Sequence, residues 1–516
     1  MFKEKVWKLL GVSLLVLAVI TTSGFASGKK EAAAPKEEVY RFLNTWGMWD
    51  LSRGRIPIED QPENPYWQYV AKRFGAAPLT MSWEWDGAKG YLAGLRRMMA
   101  GGDIPESLMP YEIKLTSELI EEGAVIPLED LLKKYGQDTY NQLTEGEWDS
   151  IRAQAPDGKI YYVPLVQFEG RIPSSMVRKD WLDRVGMGIP QTRDELVKMY
   201  RAFKNSDANG NGDPNDEIPV SGRQGMRWCD DLFMMHGVSM YEGHPQWRWQ
   251  ADKGRLISEQ VSDEMRESIA FLRSLYKEKL IDEVFVIQSA GDWTSKIKAN
   301  KVGHYFHLPW VIENFSDFVS EFPKAEWVYM PLPQVPGKPR QKTMFQRVGF
   351  PAFMITKQAK QPEKIMEWYN WSQTEDGYLY QTLGIPGVDW VKEGSQLKVL
   401  NMKVPFYKYI STPSKYVPEA IKLTPLGGMK IKIIDEAKKN VYYGPDNLGM
   451  PSTVYEGYED FMPENAKMYR ELCSKMVVGE LDMSAWDEYV KKWYASGGEV
   501  VSQRANEWYK KMKGMK

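Results

Sequence analysis

From about residue 39 onward the chain keeps changing its hydrophobic period. Short alternating runs give way to stretches with apolar residues three and four apart, and then return. A chain patterned in that way must bury strand faces against helix stripes, which confines it to layered α/β architectures. Residues 39–43 and 79–85 alternate as strands, and 107–110 is a third strand-like run. Leu92, Leu95 and Met99 share one helix face, and Gly101 and Gly102 stop that helix. Thr192 with Glu195 predicts a capping box, followed by a stripe of Leu196, Met199, Tyr200 and Phe203. A second amphipathic helix is expected over 262–279, with Met265, Ile269, Leu272 and Leu275 inward. A third carries Trp486, Tyr489, Val490 and Trp493 behind Ser484. These stripes read as core. No internal repeat is visible at solenoid periods.

The length of 516 residues allows two or three domains. The net charge of −2, with both signs interspersed, gives no basic surface for nucleic acid. Cys229 and Cys473 lack a CxxC partner, so metal or redox motifs are not indicated. They are either one disulfide or two buried thiols. Twenty Trp and 28 Tyr raise the aromatic content to 13%. Aromatic faces stack on the apolar C–H faces of pyranose rings, but most of these side chains are expected to pack the core.

The first residues read as an export address. Lys3, Lys5 and Lys8 precede an apolar run from Leu9 to Ile20, with Gly24 and Ala26 placed for a cut before Ser27. The run is short for a membrane span, and the segment has no lipobox cysteine. Residues 1–26 are therefore expected to be a signal peptide, and the charged, Ala- and Pro-containing stretch 27–38 a flexible tether.

Several blocks then carry a resemblance: MMAGGDIPESLMP (98–110), GAVIPLEDLLKKYG (123–136), PDGKIYYVPL (156–165), the stretch 177–222, LRSLYKEKLIDEVF (272–285), KANKVGHYFHLPW (298–310) and the tail 479–512. Together they resemble the family 1 extracellular solute-binding proteins of ABC importers, in particular the long subgroup with alginate- and oligosaccharide-binding members. The resemblance implies an α/β Venus-flytrap fold: two lobes, a ligand cleft between them, and three hinge crossings, near 166–169, 305–308 and 347–351. It places lobe 1 at 39–167 and 308–349, and lobe 2 at 168–307 and 350–516. It also implies a monomer in the periplasm or outside the cell that hands an oligosaccharide to membrane permease subunits, without catalysis.

Asp207, Asn209, Asn211 and Gly212 read D-x-N-x-N-G, the first half of an EF-hand loop, in which alternate oxygens converge on a hard cation. Position 12 is Ile218, and no exit helix follows. The resemblance supports a structural Ca²⁺ held by Asp207, Asn209, Asn211, the carbonyl of Asp213, Asp216 and Glu217, within a loop spanning 207–217. A solvated turn is the competing reading.

Sugar contacts are expected at strand ends and crossings. The candidates are Trp46, Trp83, Asp86, Glu169, Arg171, Trp310 and Trp390, with Trp310 favoured as the stacking platform. Arg171, Arg223, Arg227 and Arg347 would line the cleft if the ligand were acidic. A secreted glycoside hydrolase or polysaccharide lyase is the alternative, since a carboxylate pair can always be nominated among 69 acidic residues. However, the chain contains no GxSxG, HExxH or P-loop pattern. His304 and His307 form an H-x-x-H that reads as structural.

Overall fold

The computed structural model describes residues 38–43, 65–80, 88–110, 112–401, 417–424, 426–443, 450, 452–458 and 461–515. They belong to one compact unit, Glu38–Lys516. The expected signal peptide and tether lie outside the described residues, apart from Glu38.

Nine strands organise the two lobes: β1 (Glu38–Leu43), β2 (Ala76–Thr80), β3 (Ser107–Leu108), β4 (Val163–Val166), β5 (Ser174–Arg178), β6 (Ile218–Val220), β7 (Val302–His307), β8 (Trp327–Tyr329) and β9 (Val348–Ile355). The first sheet has the order β2-β1-β3-β9-β4 and the second β8-β5-β7-β6. In the first, β1 runs parallel to β2 and β3, while β9 is antiparallel to β3 and β4. In the second, β7 is parallel to β6 and antiparallel to β5, and β8 is antiparallel to β5. Both sheets carry helices, as the alternating pattern requires.

The local signals work as physical chemistry dictates. Thr192 Oγ1 accepts the Glu195 N–H at 3.2 Å, and the Glu195 carboxylate accepts the Thr192 N–H at 3.3 Å, so the helix Arg193–Lys204 starts with two orphan donors satisfied. Its Leu196, Met199, Tyr200 and Phe203 are all buried. The helices Asp263–Lys277 and Ala485–Trp493 bury their expected stripes, except that Val490 stays partly exposed. Among the described residues no helix is long and apolar enough to cross a membrane.

The lobe boundaries differ from expectation. Residues 308–349 were expected in lobe 1, yet β8 pairs with β5 in the second sheet, and Val311, Phe315 and Trp327 pack in that lobe's core with Trp293 and Tyr305. Residues 350–516 were expected in lobe 2, yet β9 lies in the first sheet, and the helix Pro362–Ser372 packs Ile365, Met366 and Trp368 against Leu128, Leu132 and Trp148. The expected crossing at 305–308 is therefore no crossing: β7 is the centre of the second sheet and runs on into the same core. The chain passes from the first sheet to the second between Val166 and Ser174, and back between Phe345 and Val348. It returns to the second core by Ile433 and Ala437. Hydrophobic pattern alone does not say which sheet a strand joins, because both lobes offer the same kind of apolar face.

Candidate functional site

In sheets of this kind, ligands bind beyond the carboxyl ends of strands. The parallel pair β6 and β7 ends at Val220 and His307. The loop after β6 is closed on itself, since Arg223 and Arg227 exchange backbone hydrogen bonds of 2.7 and 3.1 Å. Closing it forces Met226 and Trp228 to positive φ, both at 61°, where a side chain sits only if the surroundings hold it. The result is that Trp228 lies flat on the His307 ring, with centroids 3.8 Å apart and planes 18° apart. Trp293 stacks at 5.5 Å from the same imidazole, and Trp310, three residues beyond β7, meets its edge at 5.5 Å. The Arg223 guanidinium sits 4.3 Å above the Trp293 ring and donates to His307 Nε2 at 3.1 Å. The Nε–H of Arg223 and the indole N–H of Trp310 are buried without an acceptor.

The first chain passage borders this cluster. Arg171 Nε–H donates to Gln167 Oε1 at 3.2 Å, and the Gln167 amide donates to the Tyr241 hydroxyl. Tyr241 belongs to a hairpin, Met240–Tyr241 paired with His244–Pro245. Glu169 is exposed and ion-paired with Lys438 at 2.8 Å. Burial holds the His307 imidazole well below its ordinary pKa, and Arg223, Arg227 and Arg171 add to that shift. The ring is thus neutral, and its face is available to the indoles. Arg223 is pushed down to about 9 by burial and then by Arg227, with Glu242 opposing. The arrangement is an aromatic wall with cationic hydrogen-bond donors at its edge. Trp228 and Trp293 are themselves buried, at 5% and 0% exposed, so they back Trp310, the one partly exposed indole of the three, which can stack a sugar ring while the guanidinium groups bind its oxygens.

The acidic loop lies between the helix Arg193–Lys204 and β6. Asp207 Oδ1 and Oδ2 accept from the N–H groups of Asn211 (2.9 Å) and Gly212 (3.0 Å), and Gly212 makes the turn at φ 90°. The amides of Asn209 and Asn211 donate to Asp216 at 2.7 and 3.0 Å, and Lys301 lies 3.4 Å from the same carboxylate. Glu217 is 1% exposed; one oxygen accepts the Asn209 N–H at 3.3 Å and the other has no partner. Burial raises the Glu217 carboxyl above its ordinary value. The Asp213 carboxylate turns instead to the N–H of Asn215 at 3.1 Å. Among the described residues no three His, Cys, Asp or Glu side chains form a ready metal cage. An orphaned buried carboxylate oxygen beside two inward amides nevertheless fits a hard cation, because turning the amides would present oxygens in place of N–H donors.

The sequence model of the bacterial extracellular solute-binding proteins matches residues 59–378. The chain belongs to that family. Over 224 residues, 40% of each chain, this solute-binding protein is 30% identical to the fructooligosaccharide ABC transporter substrate-binding protein FusA of Streptococcus pneumoniae. It is 23% identical to the polygalacturonan/rhamnogalacturonan-binding protein YtcQ of Bacillus subtilis over 81% of this chain and 83% of that one. Solved structures share its two-lobed fold: FusA in complex with kestose (TM-score 0.70, 19% identity, 92% of this chain and 100% of that) and the alginate-binding protein AlgQ2 without calcium ion (0.71, 18%, 92% and 98%).

In this solute-binding protein the expected site residues fall in different places. Trp46, Trp83 and Asp86 lie outside the described residues. Arg171 and Trp310 come together at the platform. Glu169 stands at its margin, held by Lys438. Trp390 is buried in a small cluster with Tyr378, Leu383 and Ile421, and its indole donates to the Gly384 carbonyl at 2.8 Å, so packing takes up both its face and its N–H. Arg347 reaches Glu147 and the Gln142 carbonyl. Trp228, Trp293, Tyr241 and His307 were not among the expected ligand contacts; a Trp directly after an Arg- and Gly-rich loop that ends a strand was the available signal. Cys229 and Cys473 are free and buried in the same core. Ser175, His304 and Asp231 have the residue types of a hydrolase site. All three are sealed, however, and both Ser175 and Asp231 approach the same imidazole nitrogen, at 2.6 and 3.0 Å. A hydrolase His instead relays between its two nitrogens.

Proposed function

We propose that this protein captures an oligosaccharide outside the cytoplasm and delivers it to the membrane subunits of an ABC importer, without altering it. The platform of Trp228, Trp293 and Trp310 around His307, edged by Arg171 and Arg223 at the first chain passage, is the observation that carries this reading. Capture is hinge closure: a glycan bridging the platform and the first lobe holds the lobes together, with rotation absorbed at 166–174 and 345–348. Trp310 gives a ring face and a free N–H, and Arg223 and Arg171 give hydroxyl-directed donors. Trp46, Trp83 and Asp86 are proposed as the facing contacts of the first lobe. The protein acts as a monomer and is exported by the segment 1–26.

We also infer a structural Ca²⁺ in the loop 207–217, held by Asp207, Asn209, Asn211, the Asp213 carbonyl, Asp216 and Glu217. The orphaned Glu217 oxygen supports it, as do the calcium ion and the EF-hand named for structures of AlgQ2 and FusA. The cation would offset the carboxylates crowded there; nothing in the loop offers it a reacting group.

A glycan panel tests the binding reading. Thermal shift should register at least one oligosaccharide, and chromatography should recover that glycan at its original size. Shortened or unsaturated products would favour the hydrolase or lyase reading, and no shift with any glycan would sink both.

A further inference from the structure

Among the described residues the guanidinium groups around the platform have no paired carboxylate. Arg171, Arg223 and Arg227 all act on the His307 ring. Among the described residues none of the three has a carboxylate within 4.0 Å. The acid on the same passage, Glu169, is engaged by Lys438. Glu242 is the acid that acts on Arg223, and it meets the Arg227 Nε–H at 3.4 Å through its backbone carbonyl, not its carboxylate. Three guanidinium groups therefore lie around one neutral imidazole, and the acids that act on them are Glu242 and, for Arg227, Asp230, whose buried carboxyl is pushed up to about 7. Arg223 is the most under-served: it is half-buried over Trp293, its Nε–H has no acceptor, and its hydrogen-bonded neighbour is the uncharged His307. A desolvated cation beside a second cation is costly unless an anion completes it. Neutral sugar hydroxyls could accept from one such group, but they would leave its charge unpaired. A guanidinium fork is matched by a planar or tetrahedral oxyanion, which takes two donors at once.

We propose that the captured oligosaccharide is anionic, with a carboxylate or sulfate of one sugar unit seated against Arg223 and within reach of Arg171 and Arg227. This rests on the carbohydrate reading above and narrows it to charged glycans. The sugar ring lies against Trp310, and its anionic group points to the Arg223 guanidinium.

Calorimetry on the full mature chain tests this with matched probes: galacturonate, mannuronate and glucuronate oligomers, their uncharged methyl esters, a sulfated chondroitin oligosaccharide, and neutral fructo- and xylo-oligosaccharides. At least one anionic glycan should bind about tenfold or more tighter than its uncharged counterpart, with an affinity that weakens as salt rises. The acid and sulfate arms identify which oxyanion is taken. Arg223→Gln should bring the charged glycan to within about twofold of its neutral form, and Arg223→Lys should keep part of the preference. Should Arg223→Gln lower the ligand-free melting temperature sharply, Arg227→Gln serves as the second variant with the same expected loss of preference. Equal or tighter binding of a methyl ester or a neutral oligosaccharide overturns the anionic ligand and leaves the carbohydrate reading standing. Failure of every glycan to bind overturns both.

Discussion

Trp310 is both anchor and donor. Its ring packs against the cores on either side of it, while its N–H is buried without an acceptor. Trp310→Phe keeps most of the packing and removes the donor; Trp310→Ala removes both. Trp310→Ala should cost about 2 kcal/mol of binding, roughly thirtyfold in affinity, by calorimetry with the cognate glycan. The phenylalanine variant should lose less affinity and melt nearer to wild type. Asp230 makes a pH prediction. It is fully buried: one oxygen accepts the Gly243 N–H at 2.8 Å and the other has no partner. Burial, then the neighbouring Asp231 and Glu242, push its carboxyl up to about 7 from 3.8, against the pull of the Gly243 N–H and Arg227. Below the unfolded pKa both states are protonated and the group costs nothing. As pH rises toward 7, the unfolded chain ionises freely while the folded one holds its proton. Stability therefore falls by about 4 kcal/mol across that window and stays lower above it. Asp230→Asn should flatten this part of the profile in urea melts at about pH 5 and about pH 8. A wild-type slope unchanged in the variant would assign the effect to other groups.

At the scale of elements, the loop 207–217 is the sharpest case. Without a cation, Glu217 is a buried carboxylate with an idle oxygen; with one, that oxygen has a partner. Calcium should therefore raise the melting temperature of wild type in proportion to the logarithm of its excess. Asp207→Ala should abolish the rise. Glu217→Gln should weaken the response while making the calcium-free protein at least as stable, because it removes a charge from the interior. No rise in wild type after chelation and calcium return would reduce the loop to an Asn/Asp turn. Elements also show where the sequence was legible. The helices 193–204, 263–277 and 485–493 were readable because caps and stripes are local, and the D-x-N-x-N-G loop because its oxygens lie within a few residues. The platform was only half legible. Arg223 and Trp310 stood out by their positions, but Trp228, Trp293 and His307 come from a loop, a helix and a strand. They meet only because β6 pairs with β7 and the loop after β6 closes on itself. The indole at 390 looked equally eligible, and only tertiary packing disqualifies its face.

For the whole molecule, the misplaced boundaries and the architecture have one cause: each sheet is completed by a strand from far along the chain. β9 enters the first sheet 240 residues or so after β3, and β8 enters the second well after β5. The core of the second lobe is completed later still, by Phe461, Tyr469, Trp486, Trp493 and Tyr509. Such distant contacts are slow to form, because the chain must give up loop entropy before they reward it. A polypeptide emerging amino end first cannot seal either hydrophobic core from its first 340 residues. It lacks β9 and the helix Pro362–Ser372 for one and the carboxyl-terminal helices for the other. A chain ending at residue 460 should accordingly bind the dye ANS and show non-cooperative urea unfolding, where the full chain unfolds sharply; a cooperative, dye-silent truncation would contradict this. Delay of this kind keeps the newly made polypeptide threadable past its middle: the first core can close once the helix Pro362–Ser372 has appeared, and the second only when the carboxyl-terminal helices follow.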